Sequence, residues 1–147
     1  MIAAHHHMER PMTLRIAPIL AACLAVLWTA PAFADPCEGA LPAKGTNFTG
    51  VVRYVGDGDS LCIGPAGRSD RWIEVRLADF YAPELHEAGG LEAKRRLEGI
   101  VMGRTLACRA GRRSYDRVVA TCTLGGRPLG ALLRRAGGTE GGRGRPR

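Results

Sequence analysis

Apolar and polar positions alternate along the chain from Phe48, with Val51, Arg53 and Val55 set against Val52, Tyr54 and Gly56. A period of two predicts a strand, and Gly56, Asp57, Gly58 and Asp59 form a turn signal that ends it. Residues 60–63 read as a second strand, and the Gly- and Pro-containing stretch 64–70 as a loop. The third strand, 71–78, is half-buried by its pattern. Ile73, Val75 and Leu77 lie on one face, with Trp72, Glu74, Arg76 and Ala78 on the other. Pro83 lacks an N–H and stops the ladder, which leaves Glu84 on a loop at the strand's end. An arginine and a carboxylate are thereby delivered to one place, which suits either a strand-edge salt bridge or an anionic substrate.

The period then lengthens. Leu91, Ala93, Leu97, Ile100 and Val101 form a 3.6-residue stripe, with Lys94, Arg95 and Arg96 mostly off it as a solvated face, so 87–104 holds a helix of about three turns. Strands over 105–109 and 118–124 follow, joined by a loop over 110–117 that carries Arg112, Arg113, Arg117 and Tyr115. A short helix covers 129–136. The order predicts a mainly β, α+β domain: a five-stranded OB-fold barrel, partly closed, with a helix between strands three and four and a short C-terminal helix. A small SH3-like barrel is the alternative.

Arg10 and Arg15, the apolar run 16–29 and Ala32-Phe33-Ala34 predict a signal peptide over 1–34. The chain then divides into a leader, 35–47, tied down by Cys37, a folded domain, 48–137, and a disordered Gly/Arg tail, 138–147. A periplasmic or secreted location follows, with no stable membrane span after cleavage. Cys23 falls in the signal segment, which leaves Cys37, Cys62, Cys108 and Cys122, and an even count in an exported protein implies disulfides. Spacing alone cannot choose among three connectivities. Cys108 with Cys122 across a hairpin is favoured, leaving Cys37 with Cys62; a zinc site is disfavoured because there is no CxxC pair. The chain carries +7, of which Arg10, Arg15 and Glu9 account for +1, so the mature part is +6. That excess suits a polyanionic partner or serves solubility.

The loops gather the chemistry a phosphodiester needs: carboxylates at Asp57 and Asp59, Arg76 and Glu84 about the third strand's end, and Arg113, Tyr115 and Arg117 on the fourth loop. The segment Val55-Gly56-Asp57-Gly58-Asp59-Ser60-Leu61, then Val75-Arg76-Leu77 through Ala82-Pro83-Glu84, then Tyr115-Asp116-Arg117-Val118-Val119-Ala120, resembles the staphylococcal-nuclease-like (thermonuclease) family in order and spacing. The resemblance implies an OB-fold, calcium-dependent hydrolase of DNA and RNA. It implies Asp59, with Asp57 close by, as metal ligands and Arg76, Glu84 and Arg117 as catalytic residues. Glu84 would activate water and the arginines would neutralise phosphate. Tyr115 and Arg113 would contact nucleic acid, and a monomer is expected. The departure is Tyr81, which stands where the family pattern has a second aspartate and weakens the expected calcium (Ca2+) site. Asp79, two residues earlier, is a weak substitute. Competing readings are a catalytically silent nucleic-acid-binding barrel and a disulfide-stapled periplasmic interaction module.

Overall fold

The computed structural model describes residues 36–141. The expected signal peptide, 1–34, and the last six residues of the expected tail lie outside them. Six strands and two α-helices form a mainly β, α+β domain: β1 Asn47–Val55, β2 Ser60–Ile63, β3 Ile73–Leu77, α1 Gly90–Val101, β4 Thr105–Ser114, β5 Arg117–Leu124, β6 Arg127–Pro128 and α2 Leu129–Arg135. One 3-10 turn, Ser69–Arg71, precedes β3. The sheet order is β3-β2-β1-β4-β5-β6, with neighbours antiparallel. In addition β3 pairs in parallel with β5, Val75 beside Val118 and Leu77 beside Ala120.

That extra pairing explains where the strand pattern misleads. With neighbours on both edges and cover on both faces, β3 is buried at Glu74 and Arg76 as well as at Val75 and Leu77. It is not the half-exposed strand its alternation predicts. The core is one cluster built from the inward positions of β1 to β5, such as Val55, Leu61, Val75 and Leu106, closed by Phe80. On the helices it takes Ala93, Leu97 and Val101 from α1 and Leu129 and Leu133 from α2. Leu91, which the helical period places on the stripe, is 51% exposed, because α1 docks through Gly90, Ala93, Leu97 and Val101.

Four further expectations change. Among the described residues there are six strands, not five, because Gly125 and Gly126 adopt positive φ and return the chain so that Leu124 pairs with Arg127. The predicted loop 110–117 is mostly strand: β4 runs on past a bulge to Ser114, leaving a two-residue turn at Tyr115 (φ 58°) and Asp116. The leader is also held by more than Cys37. Gly39 N–H donates to Trp72 O at 2.8 Å, Gly45 N–H to Ala110 O at 2.8 Å, and Ala110 N–H to Thr46 O at 2.9 Å. At the other end, 138–141 makes defined contacts: Gly141 N–H donates to Tyr81 O at 3.0 Å, and Arg134 pairs with Glu140 at 2.7 Å.

Both favoured disulfides are formed, Cys37–Cys62 and Cys108–Cys122, the second directly across the β4–β5 pair. They close loops of 25 and 14 residues, each contributing about 3 kcal/mol on the chain-entropy estimate. No helix among the described residues is long and apolar enough to cross a membrane.

Candidate functional site

The Asp-Gly-Asp turn between β1 and β2 is shaped by its own carboxylate. Asp57 Oδ1 accepts the Asp59 N–H at 2.9 Å, and Gly56 N–H donates to Ser60 O at 2.9 Å. The turn then docks against the end of β3, where Leu77 N–H donates to Asp59 O at 2.8 Å. Gly58 makes the approach possible, since a Cβ there would come within 2.4 Å of the Ala82 Cβ and 2.6 Å of the Ala93 Cβ. The result is a buried Asp59 whose Oδ2 accepts from Arg76 Nη2 at 3.2 Å and from the Ala82 N–H at 3.0 Å.

Burial pushes the Asp59 carboxyl up from its ordinary 3.8 to about 7; the nearby Asp57 carboxylate adds to the rise, while Arg76 and the Ala82 N–H oppose it. Arg76 therefore takes Asp59, not Glu84, as its partner. The Glu84 carboxylate pairs with no arginine among the described residues; the Glu84 N–H donates to Glu87 Oε2 at 3.0 Å.

Beside this pair lies a pocket of about 220 Å3 lined by Tyr54, Asp57, Ser60, Glu74, Leu85, Arg117 and the Cys37–Cys62 disulfide. Its floor follows from strand register. Tyr54 pairs with Cys62 and Cys62 with Glu74. The parallel pair Val75–Val118 puts Glu74 and Arg117, one residue earlier on each strand, side by side. Four strands thus present one rung of side chains to a single face. Arg117 Nε is buried there without a hydrogen-bond partner.

Of the sequence-predicted residues, Asp57 and Arg117 line the pocket, while Asp59 and Arg76 pair with each other and do not line it. Glu84 is next to the pocket-lining Leu85 but does not itself line the pocket. Tyr115 is 95% exposed on the β4–β5 turn, and Arg113 Nη2 donates to Leu41 O at 3.1 Å, so both stand apart from this pocket. Glu74, Tyr54 and Ser60 belong to the site without having been singled out in sequence. The one signal for Glu74 was its place two residues before Arg76, on the same face of the strand.

The donor set does not fit the calcium site the resemblance implies. Calcium takes about six to eight oxygens. Asp59 Oδ2 is already engaged by Arg76 and Ala82, and Asp57 Oδ1 by the turn. Tyr81 Oη donates to Ala78 O at 3.3 Å, and Asp79 Oδ2 accepts the Gly130 N–H at 3.0 Å, turned toward α2. Asp79 therefore does not replace the missing carboxylate. No group of three or more metal-capable side chains occurs among the described residues. Compared with protein-family models and with curated proteins, the chain finds no match.

Proposed function

We propose that this domain is an exported phosphodiesterase of the nuclease type acting on DNA or RNA, built on an OB-type barrel. The strand circuit β1-β2-β3-β5-β4, with α1 between β3 and β4, supports the barrel reading. Two disulfides are compatible with export. One observation carries the functional reading: three segments distant in sequence line one pocket through Asp57, Glu74 and Arg117, next to the Asp59–Arg76 pair. A half-buried arginine whose buried Nε–H is unused matches a phosphoryl oxygen, and charge-assisted donors strengthen as negative charge develops there. In this reading Arg117 binds and stabilises the phosphoryl group. Asp59 orients Arg76 toward the same end, and Glu84, on the loop that supplies Leu85, activates water.

The test is to incubate the disulfide-bonded chain with single-stranded DNA and RNA in calcium, magnesium, manganese or chelator. Cleavage that falls by about 10²- to 10³-fold in Arg117→Ala supports the proposal. No cleavage under any metal, with salt-sensitive binding retained, overturns it in favour of a catalytically silent nucleic-acid-binding domain. Tyr81 and the twice-engaged Oδ2 of Asp59 favour that second reading.

A further inference from the structure

A second cleft, of about 310 Å3, is lined by three cations, Lys44, Arg109 and Arg112, with Thr121 and the Gly111 backbone, and no carboxylate. None of the three cations makes a salt bridge or side-chain hydrogen bond among the described residues, whereas Arg68, Arg76, Arg96 and Arg134 each have a carboxylate partner. Like charges gathered without a counter-charge favour a polyanion at that place.

The gathering is built into the chain's course. Gly45, at φ 88°, donates its N–H to Ala110 O, and Ala110 N–H donates to Thr46 O, which seats Lys44 against β4. The β4 bulge lies between Ala110 and Arg113, so Arg112 leaves the regular ladder. At Gly111 a Cβ would come within 2.6 Å of Val119 O, so the bulge sits directly on β5.

Register connects this cleft to the Arg117 pocket. Arg109 pairs with Thr121, and Leu77 with Ala120, so Ala78, Thr121 and Arg109 form one rung. Arg76 and Val119 form the next, and Glu74 and Arg117 the one after it. Rungs on one face are two residues apart, about 6.6 Å along the strand, which sets the outer two about 13 Å apart with Arg76 between. Arg76 on the middle rung is buried against Asp59, so the cations without a salt bridge stand on the two outer rungs, a span that an extended single strand can cover with two of its phosphates. A single strand can bend into the recessed Arg117 pocket, which a stiff duplex cannot follow.

The geometry points to a second phosphate subsite: Lys44, Arg109 and Arg112 hold the backbone of the single-stranded nucleic acid whose neighbouring phosphodiester occupies the Arg117 pocket. This rests on the function proposed for that pocket.

The experiment measures anisotropy of labelled single-stranded oligonucleotides of two and eight nucleotides on the full disulfide-bonded chain, in chelator, across a salt series. The wild type is expected to bind the longer strand more tightly. Lys44→Ser/Arg109→Ser/Arg112→Ser loses that gain, and its slope of log K against log salt is shallower by about 2, from three phosphate contacts at 0.7 each. Binding of the dinucleotide stays unchanged in the triple variant and is lost in Arg117→Ala. If the triple variant keeps the length gain and the slope while Arg117→Ala loses both, this inference fails and the pocket assignment stands. If neither oligonucleotide binds the wild type, both fail. Capture of anionic phospholipid vesicles that is lost in the triple variant, with oligonucleotide binding intact, overturns the inference in favour of a membrane surface.

Discussion

Replacing Arg76 with Met removes one partner of a buried ion pair and keeps most of its length. Arg76 is 8% exposed and Asp59 2%, so neither charge has water to fall back on. At pH 8.5 the wild-type Asp59, whose carboxyl titrates at about 7, is ionised and paired. The variant leaves that charge buried beside Asp57 with one backbone N–H, at a cost of about 3 to 5 kcal/mol. At pH 5 Asp59 is already protonated, so the variant loses little more than one hydrogen bond, about 1 kcal/mol.

The wild type carries the same signature. A folded pKa of about 7 against 3.8 unfolded means the folded state binds more protons between those values. The stabilising contribution is complete below pH 3.8 and is lost as pH rises through 7, by about 4 kcal/mol over the window. Urea unfolding with intact disulfides in chelator, at pH 5 and 8.5, measures both effects. Arg76→Met/Asp59→Asn should recover most of the loss at pH 8.5, because no buried charge remains. An equal loss for Arg76→Met at both pH values, or a loss under about 1 kcal/mol at pH 8.5, refutes the account of a charged buried pair.

Gly58→Ala should destabilise by about 1 to 3 kcal/mol, since its methyl would press on Ala82 and Ala93; a change within about 0.5 kcal/mol in the same assay means the turn can move away from α1. Tyr81→Asp adds a carboxylate on the loop that holds Ala82 against Asp59. Calorimetry should detect calcium binding in that variant at a tenfold or greater gain over wild type, and equal affinities would show that carboxylate count is not what limits the site.

Much of the fold was legible because local chemistry repeats along the chain. The period-two runs marked β1 and β3, the 3.6-residue stripe marked α1, and the run Gly56-Asp57-Gly58-Asp59 marked the first turn. The hairpin geometry of Cys108 and Cys122 left Cys37 for Cys62, and both bridges are present. The misreadings share a cause. Arg112 and Arg113 are polar, so the end of β4 looked like loop, yet an exposed strand edge tolerates any charge the ladder does not bury. Leu91 looked like core because a stripe gives an angle around a helix but not which part of it is covered.

The site divides in the same way. Sequence alone determined which residue types are available for phosphate chemistry and their order, since turn formation by Asp57 and the alternation of Glu74 and Arg76 are local properties. Only the tertiary structure decided the partners: Arg76 with Asp59 instead of Glu84, Asp79 with α2, and Glu74 beside Arg117. Those outcomes depend on the parallel β3–β5 pairing and on how closely Gly58 lets two loops approach. Such long-range registers are fixed by the packing of the whole core, and no short stretch of the chain encodes them.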